Sequence, residues 1–305
     1  MSWPKVELFS QELVNPLIAS SGTIGFEEVC DGSIDFSKIG AVILKSIKPD
    51  PVFGNPPPRV SEITKEDVIE CYYLEDLEDE IGFINRIGLQ GPGIDAFIID
   101  YAPKMRRAIK VRYDAEYPLR IIASIAGGSI DEYMILTRYL EDACSDFLFA
   151  LEVNISCPNT ADGLVFGTNA DLTFELIRTL RNKWLKPLIV KLTPNTEDIC
   201  AVAEAVLRVG ADAISLINTV KCKARMKDGH IIEGGLSGPI IRKIARKLVK
   251  EVCERFPTVP VIAGGGVFYK EDVLAMLELG ATAVGVGTLN LTGKNAIIEL
   301  ASTLA

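Results

Sequence analysis

The sequence predicts a (β/α)8 TIM barrel with an inserted excursion over its C-terminal face, and three observations lead to that prediction. Short β-branched apolar runs recur along the chain, most of them followed by amphipathic helical patterns. The runs are apolar almost throughout, as strands of a parallel sheet buried on both faces must be. Eight such runs fit within 305 residues, the size of a single barrel domain spanning 1–305. An open, doubly wound sheet is the alternative architecture.

In order, the runs are Leu17–Ala19, Ala41–Lys45, Leu119–Ser124, Ala150–Asn154, Leu188–Leu192, Ala213–Ile217, Pro260–Gly264 and Ala283–Gly287. Helices are predicted over Asp131–Cys144, Ala170–Lys183, Thr196–Val209 and Lys270–Leu279, where apolar residues recur at three- and four-residue spacing. Asn195-Thr196-Glu197-Asp198 supplies capping residues before the third of these. The Pro- and Gly-rich stretch Pro49–Tyr101 breaks the repeat and reads as an excursion over one barrel end.

Composition narrows the function classes. The chain is 48% hydrophobic and 24% charged, enough for a large core beneath a polar surface. A net charge of −9 argues against general nucleic-acid binding, which needs clustered Lys and Arg. No apolar run is long enough to span a bilayer, and Met1-Ser2-Trp3-Pro4-Lys5 lacks the order of a secretory signal, so no membrane partner and a cytoplasmic location are expected. The seven cysteines are scattered, without a C-x-x-C pair, which fits reduced and mostly buried thiols. His230, the only histidine, lies in a polar stretch that reads as a surface loop, so a poly-His metal site is excluded and no metal is expected.

Barrel active sites lie at the C-terminal strand ends. There this chain places Ser20-Ser21-Gly22, Lys45-Ser46, Asn154 to Asn159, Lys191, Asn218-Thr219, Gly264-Gly265-Gly266 and Gly287-Thr288. The last two turns suit a phosphate, because glycine lets backbone N–H groups approach the anion closely. Lys191 and Lys45 are cations at strand ends, where burial disfavours charge without a partner. A fixed cation at Lys191 suits a cofactor that gains negative charge on reduction, as flavin does. Cys157 stands between Asn154 and Asn159 and before Pro158, so a thiol and two carboxamides come off one strand end where the chain must turn.

In this order the motifs carry a resemblance over nearly the whole chain. They are Asn15-Pro16 with Ser21-Gly22-Thr23, Leu44-Lys45-Ser46, Gly54-Asn55-Pro56-Pro57-Pro58-Arg59 and Asn85-Arg86-Ile87-Gly88-Leu89-Gln90, followed by Asn154–Asn159, Val190-Lys191-Leu192, Ile217-Asn218-Thr219, Gly234–Pro239 and the two closing glycine turns. The chain resembles the class 1 dihydroorotate dehydrogenases, and the triple proline with Ile-Gly-Leu-Gln is closer to subclass 1B than to the fumarate-using 1A.

The resemblance implies FMN-dependent oxidation of dihydroorotate to orotate in pyrimidine synthesis. It makes Cys157 the base that removes the C5 proton while hydride passes from C6 to flavin N5. A thiol of ordinary pKa, ~8.5, is mostly protonated at neutral pH, so the site must favour the thiolate or concerted transfer. The implied orotate contacts are Lys45, Asn85, Ile87, Gly88, Leu89, Asn154, Asn159, Asn218 and Thr219. Carboxamides both donate and accept, which suits the ring's alternating edges. The implied FMN contacts are Ser21, Gly22, Lys45, Ser46, Asn154, Lys191, Gly238, Gly265, Gly266, Gly287 and Thr288. Thr160–Phe166 reads as a loop able to close over substrate. The chain has neither a four-cysteine cluster nor a Rossmann glycine motif. In the resemblance, reaching NAD therefore falls to a partner subunit carrying FAD and a [2Fe–2S] cluster, in a heterotetramer built on a homodimer of the flavin chain.

Some positions depart from the family pattern. Ser20 stands for an expected alanine, and Gly91 for an asparagine. Lys221-Cys222-Lys223-Ala224-Arg225-Met226 replaces an apolar stretch and reads as a solvated loop, or as a segment touching a partner or altering substrate choice. Two other enzyme readings compete: a flavin-dependent dihydropyrimidine dehydrogenase, and a flavin-free sugar-phosphate barrel using Lys191 as a Schiff base. A non-catalytic scaffold fits poorly with so many polar strand ends.

Overall fold

The chain opens with an antiparallel hairpin of β1 (Val6–Leu8) and β2 (Gln11–Leu13). β3 (Leu17–Ala19), α1 (Phe26–Asp31) and β4 (Ala41–Ile43) follow, then an excursion holding β5 (Val60–Ile63), β6 (Val68–Cys71) and β7 (Gly82–Asn85). α2 (Gly93–Ala96) runs through a π-helical turn, Phe97–Tyr101, into α3 (Ala102–Arg112). Strand and helix then alternate through β8 (Ile121–Ile125), α4 (Ile130–Cys144), β9 (Leu148–Asn154), α5 (Ala170–Arg181), β10 (Leu188–Lys191), α6 (Ile199–Leu207) and β11 (Ala213–Leu216). A second insertion, β12 (Val220–Arg225) and β13 (Ile231–Ser237), precedes α7 (Arg242–Arg255), β14 (Val261–Gly264), α8 (Lys270–Glu278), β15 (Ala283–Val286) and α9 (Ala296–Ser302). This computed structural model describes residues 3–112, 118–156 and 166–303, the side chains of Val111 and Arg112 apart. Cys157 and Asn159 lie outside the described residues, as does the expected loop from Thr160 up to its last residue, Phe166.

Strands β3, β4, β8, β9, β10, β11, β14 and β15 pair in parallel and close into a barrel, so the open sheet is ruled out. Its interior is a layer of Ile18, Ile43, Ile122, Ala150, Ile189, Ala213, Ile262 and Ala283, with Leu8 and Leu13 of the hairpin packed into the same cluster. The other strand face packs on the helices, whose buried stripes follow the predicted spacing, as in Tyr133, Leu136 and Leu140 of α4. Side-chain caps start them: Ser129, Asn169 and Asp198 accept from Glu132, Leu172 and Ala201 N–H at 3.2, 3.0 and 2.8 Å. The helix predicted from Thr196 begins only at Ile199. Asn195 is not part of its cap, because its carboxamide is bound elsewhere, to Thr219 C=O at 3.0 Å and Lys221 N–H at 2.7 Å.

The excursion and the second insertion build one five-stranded antiparallel sheet, in the order β5-β7-β13-β12-β6. One insertion follows β4 and the other follows β11, so the sheet rises from the C-terminal face of the barrel. The expectation of a solvated loop at Lys221–Arg225 is corrected: these residues are the strand β12. Val220, Cys222 and Ala224 are buried while Lys221 and Arg225 are exposed, the period-2 pattern of a half-buried strand. Its lysines face acids, with Lys221 Nζ 3.4 Å from Glu233 and Lys223 Nζ 2.7 Å from Glu70. His230 is exposed in the turn joining β12 to β13, next to Gly229 at φ +88°.

Cys144, Cys222 and Cys253 are buried, whereas Cys30, Cys71 and Cys200 keep partial exposure, so burial holds for three of the six described thiols. Among the described residues no helix is long and apolar enough to cross a membrane.

Candidate active site

Above its apolar layer the barrel interior turns polar. Side-chain alternation carries Ile18 to Ser20, Ile43 to Lys45, Ile122 to Ser124, Ala150 to Glu152, Ile189 to Lys191 and Ala213 to Ser215. Glu152 is fully buried and accepts from Ser124 Oγ at 3.0 Å and from Ser215 Oγ at 2.9 Å. Ser46 Oγ lies 3.0 Å from Ser124 Oγ and 3.3 Å from Ser21 Oγ, and accepts from Asn154 Nδ2 at 3.2 Å. Asn154 Oδ1 in turn takes the Ser156 N–H at 3.2 Å and Asn218 Nδ2 at 3.4 Å. Ser21, Ser46, Asn154 and Asn218, read from four separate strand ends, thus join one hydrogen-bonded line across the barrel mouth. Lys191 pairs in register with Asn154 on the neighbouring strand.

The sheet supplies the rest of the polar rim. Asn85 Nδ2 donates to Gly235 C=O at 3.0 Å. Thr219 presses on the same residue, since a Cβ at Gly235 would stand 2.7 Å from the Thr219 Cβ. Gly235 therefore has to be glycine, and it brings Asn85 beside Asn218-Thr219, whose backbone is held by Thr219 N–H on Asn218 Oδ1 at 2.8 Å. The arc Ile87–Leu89 lies against the proline-rich loop, with Asn55 N–H on Ile87 C=O at 3.0 Å. Gly88, at φ +75°, leaves no room for a side chain beside Asn55.

Lys45 connects these two halves. Its pKa is held below the ordinary lysine value, first by burial and then by the Arg59 guanidinium. Arg59 is itself fixed by Nε on Asn55 C=O at 2.6 Å and by Nη1 on Gln90 Oε1 at 2.5 Å. Two like charges thus stand together at a carboxamide rim, a place where a negative charge would be attracted. Neither Arg59, met only inside a motif, nor Glu152 stands out as a site residue in the sequence. The available signals were one arginine closing a run of prolines and one acid between Leu151 and Val153.

The glycine turns fit a cofactor with a phosphate. Gly265 and Gly266 have φ of +118° and +75°, and both back directly onto α7, at Ala245 and Arg242. β14, β15 and β3 are neighbours, so the turns at Gly265-Gly266, Gly287-Thr288 and Ser21-Gly22 lie side by side. A Cβ at Gly22 would meet nothing within 4 Å, so that turn faces open space rather than packed protein. Gly238, at φ +92°, sits against the Phe83 ring at the foot of the sheet.

Fold and mouth together define a (β/α)8-barrel enzyme whose polar rim lies at the C-terminal strand ends. Within that class the family is specific: residues 4–304 match the dihydroorotate dehydrogenase family, and the chain belongs to it. It is 36% identical over 301 residues to the "dihydroorotate dehydrogenase B (NAD(+)), catalytic subunit" of Alkaliphilus oremlandii, covering 97% of this chain and 90% of that protein. The protein of the same name from Desulforudis audaxviator is 37% identical, covering 96% of this chain and 88% of its own length. That from Geobacillus kaustophilus is 37% identical, with 93% and 84% covered.

Proposed function

We propose that this chain oxidises dihydroorotate to orotate with bound FMN, in pyrimidine biosynthesis. The observation that carries the reading is the Lys45–Arg59 cation pair beside a line of carboxamides, which matches a flat ring bearing one carboxylate. Lys45 holds the carboxylate, with the backbone of Ile87, Gly88 and Leu89 closing around it. Asn85, Asn154, Asn159, Asn218 and Thr219 meet the ring's N–H and C=O edges. Cys157 takes the C5 proton. FMN, when bound, supplies the two-electron acceptor. Ser21, Gly22, Lys45, Ser46, Asn154, Lys191, Gly238, Gly265, Gly266, Gly287 and Thr288 would hold it, with the turns at Gly265-Gly266 and Gly287-Thr288 suited to its phosphate.

The relatives are named as NAD-linked catalytic subunits, which supports a partner for this chain as well. That partner carries FAD and a [2Fe–2S] cluster, in a cytoplasmic heterotetramer built on a homodimer of this chain. The test is a visible spectrum of the FMN-loaded protein before and after anaerobic dihydroorotate. Bleaching by dihydroorotate but not by dihydrouracil is the expected result. Bleaching by dihydrouracil alone would assign the site to a dihydropyrimidine without a carboxylate. A protein that stays colourless when FMN is supplied would favour the flavin-free barrel.

A further inference from the structure

We propose that Glu152 is a positioning residue that sets the direction of the substrate-binding carboxamides, an inference that rests on the dihydroorotate reading above. Glu152 is fully buried within β9, between the apolar Leu151 and Val153. An apolar side chain of similar size would fill that space without the cost of burying a carboxylate. Its two oxygens are both taken by serine hydroxyls, Ser124 on one side and Ser215 on the other.

A serine hydroxyl has a single proton to give, and that limit sets the direction of each bond along the line. The Ser124 proton is committed to Glu152, so the proton in the 3.0 Å contact between Ser46 and Ser124 comes from Ser46. With that proton spent, Ser46 faces Asn154 only as an acceptor, and Asn154 turns Nδ2 toward it. Asn154 Oδ1 then points at Asn218, which offers Nδ2 and keeps its own Oδ1 for the Thr219 N–H. The Ser156 and Thr219 backbone N–H groups, which can only donate, demand the same orientations from the other end. The carboxylate and the backbone thus agree on which edge each carboxamide shows to a ligand. Ser215 lies on the opposite arm, and no bond leads from it to the carboxamides among the described residues.

The two arms make the test. Ser124→Ala and Ser215→Ala each strip one hydroxyl from Glu152, and only the first cuts the line to Asn154. Orotate binding to the FMN-loaded protein is measured by calorimetry, alongside thermal unfolding of the same samples without orotate. Both variants are expected to melt lower by similar amounts. Orotate affinity is expected to fall about five- to tenfold in Ser124→Ala alone, the effect of one lost hydrogen bond. Ser124→Thr, which keeps a hydroxyl, is expected to restore it. Should Ser124→Ala not fold, Ser124→Cys carries the same expectation, since a thiol is a far weaker donor and acceptor. Equal weakening by both alanine variants, or none by either, would leave Glu152 a structural acid and overturn the proposal while the dihydroorotate reading stands. Wild-type protein that binds no orotate would overturn both.

Discussion

Replacing Lys45 by methionine separates what the cation does for the ligand from what it does to the fold. Methionine keeps most of the stem and removes the charge. A charge-assisted hydrogen bond to a carboxylate contributes about 1.5–3 kcal/mol, so orotate affinity should fall about 10- to 150-fold. The ligand-free protein should respond in the opposite direction. Burial and Arg59 both hold the Lys45 pKa down, so its charged form is disfavoured in the native state and the variant should melt higher than wild type. The pH dependence has the same sign. Between the lowered native pKa and the ordinary value the unfolded chain binds more protons, so ligand-free stability from this group rises with pH there. Orotate affinity instead falls as Lys45 loses its proton, at a pH below the ordinary lysine value. Calorimetric titration with orotate and thermal unfolding without it check both halves. A Lys45→Met protein that binds orotate within twofold of wild type would refute the carboxylate assignment, and one that melts clearly lower would refute the electrostatic account.

Single positions elsewhere carry their own expected outcomes. Gly266→Ala should lower the melting temperature, because its Cβ would stand 2.8 Å from Arg242 Cα at a φ of +75°. Gly22→Ala meets nothing within 4 Å, so beyond about 1–2 kcal/mol of backbone strain it should act on flavin retention, read as the 450/280 nm absorbance ratio. Cys71 should be the first of the described thiols to react with iodoacetamide near pH 7.5. A hydrogen bond from Cys222 holds its pKa below the ordinary thiol value, while burial pushes Cys144 and Cys253 up to about 11. Mass spectrometry showing Cys144 labelled before Cys71 would contradict this. Cys157→Ala should keep the yellow colour and be reduced very slowly by dihydroorotate in stopped flow. Cys157→Ser should retain little activity at neutral pH, since an alcohol is a far weaker acid than a thiol.

The barrel was legible because strands buried on both faces are apolar at nearly every position, and a run such as Leu188-Ile189-Val190 admits few other readings. The sheet above it was not. β5 and β6 each carry two apolar residues or three at most, and the partner of β6 lies about 150 positions away, so no local pattern marks them. In β12 the alternation was present, but three basic residues in six read as a loop until pairing with Glu70 and Glu233 explained the charge. Within the site, residues that end strands could be found from position alone, as with Ser46, Asn154 and Asn218. Glu152 and Arg59 could not, because their roles exist only through neighbours on other strands and loops.

The row Val60, Asn85, Gly235, Lys221 runs straight across four strands of the upper sheet. A one-residue slip of β13 against β7 would take Gly235 away from Asn85 and turn it out from under Thr219. The tip at Asp228-Gly229-His230 lies at the other end of that hairpin, six residue pairs from where Val220 meets Leu236. Peptide tags or dyes grafted at the tip would leave the row undisturbed, which makes the tip a handle on the protein while the far end of the same hairpin carries Gly235.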